Sequence, residues 1–231
     1  MRRTAFRNEE RAMSRHALDG PHALLLDFDG TSCTVDVGHS LFKRFARDRE
    51  GWMRLVQRWN AGLLGGRDCL AEECELARAT RDEIEAFCEP MRLDPGFAEV
   101  VARARRLGWE IAILSDGLEF YIQRILEREG FGEIPVRANK VRFEEGARLV
   151  PEFPHWGGGC GRCGACKGTE IARRRALGQR VWFVGDGVSD RCAAPVADRL
   201  FAKRDLARFA SERGIAFTPF ETLADVLAHI A

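Results

Sequence analysis

Residues 23–31, Ala-Leu-Leu-Leu-Asp-Phe-Asp-Gly-Thr, constrain the fold of this chain more than any other stretch. Ala23 to Leu26 are apolar without alternation, which predicts a strand buried on both faces of a parallel sheet. Asp27 and Asp29 follow at its end, then Gly30 and Thr31. Open α/β sheets bind ligands along that edge. Two carboxylates so close are unfavourable unless a cation sits beside them. The plainer reading is an acidic turn, since Asp-Gly is a common turn dipeptide.

Two later apolar runs also end in polar groups. Residues 111–114 lead into Ser115, and residues 181–184 lead into Gly-Asp-Gly-Val-Ser-Asp, with Asp186 and Asp190 four apart. Lys167 follows a Gly/Cys loop and opens a helical pattern. Around these points strands and helices alternate. A helix over 97–107 closes at Gly108, a strand covers 109–114, and a helix over 118–129 ends at Gly130. A short strand at 134–138 precedes a hairpin of 141–143 with 148–150. A helix over 168–177, a strand at 181–184, a helix starting at Asp190, a strand at 200–202 and helices near 206–212 and 222–230 complete the chain. The alternation predicts an α/β fold with a doubly wound parallel sheet.

The exception is residues 33–95, which have no strand-like run. Leu41, Phe42 and Phe45, then Trp52, Leu55, Val56 and Trp59, recur at helical spacing. A break at 63–66 is followed by helices at 70–79 and 82–88, the second capped by Thr80 with Glu83 completing a capping box. The expected organisation is an Arg-rich arm over 1–20, an α/β core over 21–32 and 96–231, and a helical insertion over 33–95.

The 231 residues, 45% of them hydrophobic, are enough for one core and an insertion. A net charge of +1 gives no field that would draw nucleic acid or a membrane surface. No apolar run approaches the roughly 20 residues of a membrane span, and the N-terminus lacks the apolar core of a signal peptide. The expectation is a cytoplasmic protein whose eight cysteines are reduced. Oligomeric state is not readable.

Four motifs stand in order: DxDGT (Asp27, Asp29), a strand-terminal Ser115, Lys167, and GDxxxD (Asp186, Asp190). In these the chain resembles the haloacid dehalogenase superfamily of phosphotransferases, over about residues 22–225. The resemblance implies a Rossmann-like core with a helical cap over the site, and a Mg²⁺-dependent phosphatase acting on a small-molecule phosphomonoester. By resemblance Asp27 attacks phosphorus and forms an aspartyl-phosphate. Asp29 protonates the leaving oxygen and then deprotonates water. Ser115 with the backbone of Asp116 and Gly117 cradles phosphate, and Lys167 neutralises charge. Asp27, Asp186 and the Asp29 carbonyl hold Mg²⁺, while Asp190 holds a metal-bound water or orients Lys167. A non-catalytic phosphate- or zinc-binding protein is the reading from another class, and a mutase is a third.

His155, Cys160, Cys163 and Cys166 form H-x4-C-x2-C-x2-C directly before Lys167. That spacing suits one structural zinc, or a Gly-rich flap with free thiols. A Cys-rich loop at this place resembles the methionine-salvage branch, which acts on 2-hydroxy-3-keto-5-methylthiopentenyl-1-phosphate. Phosphocholine/phosphoethanolamine phosphatases have a similar segment. Phosphoserine phosphatases share the helical cap and an acid nine residues after the nucleophile, where Asp36 stands here. They also use a cap arginine for the substrate carboxylate. Glu73 falls at that place in this chain, and Arg67 is the nearest alternative cation.

Overall fold

The computed structural model describes residues 22–230. The arm expected over residues 1–20 lies outside the described residues. Among the described residues seven strands form one sheet: β1 (His22–Leu26), β2 (Glu110–Leu118), β3 (Val136–Glu144), β4 (Arg148–Glu152), β5 (Arg180–Gly185), β6 (Arg199–Ala202) and β7 (Thr218–Pro219). Their spatial order is β4-β3-β2-β1-β5-β6-β7. All neighbours are parallel except β3 and β4, which pair antiparallel at one edge.

The unalternating run of β1 is explained by its central place. Leu24 and Leu26 pack into one apolar cluster, Ala23 and Leu25 into another on the opposite face, and all four are fully buried. Burying each leucine contributes roughly 1.5–3 kcal/mol. The chain builds outward from β1 through β2 and β3, then returns to β1's other side as β5. The carboxyl ends of β1 and β5 therefore flank a topological switch point, where such sheets bind ligands.

Four helices leave the sheet after β1: α1 (Val37–Phe45), α2 (Arg49–Asn60), α3 (Gly66–Leu76) and α4 (Arg81–Cys88). Side-chain caps start three of them. Asp36 accepts from His39 N at 2.8 Å and Asp48 from Gly51 N at 2.8 Å. Thr80 and Glu83 form the capping box expected from sequence. The chain leaves and returns side by side, with Cys33 bridged to Leu93 and Asp94 N donating to Ser32 O at 2.8 Å. The core then adds α5 (Phe97–Arg106), α6 (Glu119–Arg128), α7 (Lys167–Ala176), α8 (Arg204–Glu212) and α9 (Leu223–Leu227). Val100, Ile122 and Val226 bring α5, α6 and α9 onto one face of the sheet. Ile171 and Leu206 bring α7 and α8 onto the other.

Three details differ from the sequence reading. The short strand at 134–138 and the first arm of the hairpin are one strand, β3, parallel to β2 at its start and antiparallel to β4 at its end. Asp190 closes a 3₁₀ turn, Val188–Asp190, rather than opening a helix. Its side chain folds back to accept from Asp186 N and Gly187 N, each at 2.9 Å, and this fixes the turn. The two-residue strand β7 is too short to give an apolar pattern.

Candidate active site

Asp27 leaves β1 with its amide still in the ladder, donating to Val184 O at 2.9 Å, while Ser32 Oγ donates to its carbonyl at 2.6 Å. The buried Lys167 ammonium, at the first turn of α7, ion-pairs with both Asp27 and Asp190 and donates to Ser189 Oγ at 3.2 Å. Burial alone would depress its pKa, but Asp190 and Asp27 together outweigh it and hold the lysine charged. Asp190 thus spends one oxygen on Lys167 and the other on two backbone amides. This contact is compatible with the lysine-orienting role, and Asp190 also belongs to the carboxylate group able to hold a metal, so the geometry accommodates both roles open from sequence.

Carboxylate oxygens of Asp27, Asp186 and Asp190 lie within 4.8 Å of one another, all buried. Burial first, and Asp190 next, push Asp27 well above the usual carboxylate range and Asp186 up to about 6. Thr31 Oγ1 donates to Asp186 at 3.3 Å and Arg204 to its other oxygen at 2.9 Å. Three crowded carboxylates form a hard, all-oxygen donor set suited to a divalent cation. Gly30, with φ of 72°, is required here. A Cβ on it would stand 2.6 Å from Asp186 Oδ2.

Asp29 is held from two directions. Oδ1 accepts from Val37 N at 2.9 Å and Gly38 N at 3.1 Å, at the positive end of α1. Oδ2 accepts from the Tyr121 hydroxyl of α6 at 2.7 Å and faces Ser115 Oγ at 3.4 Å. Burial, then Asp36, push Asp29 up to about 7, and the Tyr121 hydrogen bond pulls back. Such a group exchanges protons near neutrality, as a general acid–base requires. Ser115 ends the continuous buried run of β2, and Gly117 N donates to its hydroxyl at 2.9 Å. Asp116 turns its carboxylate the other way, accepting from Ala165 N at 2.9 Å, and burial pushes it up to about 6.

These groups open into one cavity of about 410 Å³ between sheet and inserted helices. Asp27, Asp29, Ser115, Gly117 and Asp186 form its floor; Phe42, Val56, Trp59 and Leu70 give the opposite wall an apolar character. Asp36 and Glu73 also line it. Burial foremost, with help from Asp36 and Asp29, pushes Glu73 up to about 8 against a 3.1 Å hydrogen bond from Trp52 Nε1. Arg67 is not in the lining. Its guanidinium lies over the rings of Phe153 and Trp156, 5.1 and 4.8 Å from their centroids, and pairs with Asp68. The residue expected as a cationic substrate contact is thus held on two aromatic rings.

The cysteine loop needs a second correction. Cys160, Cys163 and Cys166 do gather, but the fourth member of the group is Cys192, not His155. His155 lies within a turn at 153–156, and burial, then the nearby Arg137, push its pKa down. Cys192 lies 26 residues beyond Cys166, outside any local spacing rule. Tyr121, the single tyrosine of the chain, and Arg204 are the other site residues that sequence reasoning missed.

The family model for haloacid dehalogenase-like hydrolases matches residues 24–195. The chain belongs to this family. Among curated relatives of these hydrolases, a 2-hydroxy-3-keto-5-methylthiopentenyl-1-phosphate phosphatase of Exiguobacterium sibiricum is 32% identical over 212 residues, 90% of this chain and 95% of that one. One of the same name from Brevibacillus brevis is 28% identical over 211 residues, 88% and 92% of the two chains. Among solved structures, a phospho-aspartyl intermediate analogue of phosphoserine phosphatase superposes with a TM-score of 0.70 at 18% identity. It covers 92% of this chain and 100% of its own. At that identity the likeness is one of fold: the same core and helical cap.

Proposed function

We propose that the protein is a Mg²⁺-dependent phosphomonoesterase that works through an aspartyl-phosphate on Asp27. The observation that carries this is the placement of Asp27 and Asp29 in one cavity with different supports: Asp27 on a buried lysine, Asp29 on a helix N-terminus and a tyrosine hydroxyl. In the first step an Asp27 oxygen bonds to phosphorus as the ester P–O bond breaks, and Asp29 gives its proton to the leaving oxygen. In the second, Asp29 takes a proton from a water molecule as the water oxygen bonds to phosphorus and the Asp27 O–P bond breaks, releasing Asp27 and inorganic phosphate. Lys167 offsets the charge that otherwise repels Asp27 from a phosphate. A divalent cation would be held by Asp27, Asp186 and the Asp29 carbonyl, and when bound it neutralises phosphate charge.

The substrate we favour is the enol phosphate named for the relatives, a thioether-bearing and otherwise uncharged phosphomonoester. Phe42, Val56, Trp59 and Leu70 suit an apolar tail, and burial keeps Glu73 largely neutral near pH 7. Phosphoserine suits the cavity poorly, because Glu73 lines it at the place where phosphoserine phosphatases use an arginine for the substrate carboxylate. The test is a panel of small phosphomonoesters with purified protein and Mg²⁺. The enol phosphate is expected to give the highest kcat/KM, and EDTA to abolish turnover reversibly. Phosphoserine as best substrate by tenfold, about 1.4 kcal/mol, would overturn the substrate reading; no turnover of any ester would overturn the activity.

A further inference from the structure

The four sulfurs of Cys160, Cys163, Cys166 and Cys192 all lie within 4.8 Å of one another, with Cys160 to Cys163 at 3.4 Å and Cys166 to Cys192 at 3.7 Å. Four thiolates about 2.3 Å from a tetrahedral zinc stand roughly 3.8 Å apart. The arrangement is thus a four-cornered one, not one close pair beside two strays, as a disulfide would need.

Cys166 is the N-cap of α7, where the helix dipole stabilises negative charge. The loop packs its backbone directly against this sulfur: a Cβ on Gly159 would stand 3.0 Å from Cys166 Sγ and 2.8 Å from Thr169 Oγ1.

We infer that Cys160, Cys163, Cys166 and Cys192 bind one structural zinc ion, separate from the carboxylate site. Each thiol releases its proton to solvent as its sulfur ligates, and no ligand position stays open, so the ion takes no part in phosphate chemistry. Its place in the fold gives it a positioning role. Cys166 immediately precedes Lys167, and Cys192 lies two residues after Asp190, the lysine's partner. The backbone contact is so close that a Cβ on Gly168 would collide with the Cys192 carbonyl. Between Cys160 and Cys163, Arg162 donates to Gly62 O at 2.7 Å and Leu64 O at 2.9 Å, and its carbonyl accepts from Arg67 N at 3.0 Å. One zinc would therefore fix the segments that carry Lys167 and Asp190 and lock them to the link between α2 and α3.

The experiment is metal analysis of full-length protein purified without chelator or added zinc, with X-ray absorption at the zinc edge. About one zinc per chain with four sulfur neighbours near 2.3 Å is expected. Cys192→Ser should lose the metal and His155→Ala should keep it. The edge spectrum of the wild-type protein decides the ligand set even if Cys192→Ser fails to fold. A nitrogen neighbour, zinc retained by a folded Cys192→Ser, iron in place of zinc, no metal, or a disulfide among these cysteines would each overturn the assignment.

Discussion

The Tyr121 hydroxyl donates to Asp29 across 2.7 Å, and it has room to do so because residue 117 is glycine: a Cβ there would collide with the hydroxyl. A tyrosine from α6 and a glycine from the end of β2 thus jointly set the orientation of the second acid. Tyr121→Phe keeps the ring packing and removes only the donor. A hydrogen bond to a charged group is worth roughly 1.5–3 kcal/mol, so kcat should fall about 10- to 100-fold with KM little changed. Steady-state kinetics on the preferred ester would check this, and a wild-type kcat would show that α1 alone positions Asp29.

Asp27→Asn should abolish turnover, because an amide neither attacks phosphorus nor pairs as an anion with Lys167. The fold should survive, since the substitution leaves the backbone bonds to Val184 and Ser32 in place. Circular dichroism and an assay with p-nitrophenyl phosphate separate the two effects. Near-wild-type turnover would remove Asp27 from the mechanism.

Asp29→Asn should slow turnover by roughly 10²–10⁴, the usual worth of general acid–base catalysis. The loss in the first step should shrink for esters whose leaving groups need little protonation. Single-turnover measurements with alkyl and p-nitrophenyl esters resolve that step. Equal losses for both would mean that Asp29 is not the acid.

Asp27, Asp29, Ser115 and Asp186 were legible because each stands at or just past the end of an apolar run, Lys167 because it opens a helical pattern, and Asp190 through the GDxxxD spacing. A parallel sheet brings such ends to one edge, so linear position becomes spatial position. Tyr121, Arg204 and Cys192 obey no such rule. Tyr121 sits on a helix face where an aromatic residue reads as core, and it is fully buried; only its hydroxyl is functional. Cys192 joins Cys166 through the packing of α7 against the turn after β5, contact information that spacing does not hold. His155 shows the opposite case: its spacing is suitable, but a local turn holds it and Cys192 completes the group instead. Arg67, only the nearest cation to the place that Glu73 occupies, is stacked on a pair of aromatic rings.

Glu73 offers a pH-dependent test of the cavity's electrostatics. Burial foremost, and then Asp36 and Asp29, raise it from 4.5 to about 8. Between those values the native protein holds a proton on Glu73 that the unfolded chain has released, so its contribution to stability falls as pH rises through that window. Glu73→Gln removes the titration, and an amide oxygen still accepts from Trp52 Nε1, which lies 3.1 Å from the native carboxylate. The variant should match the wild-type Tm near pH 4.5 and exceed it increasingly toward pH 8. Thermal melts of both proteins across that range provide the measurement. A difference that is flat with pH would show that Glu73 is already ionised in the native protein, and would remove the reading that burial keeps it neutral beside Phe42, Val56, Trp59 and Leu70.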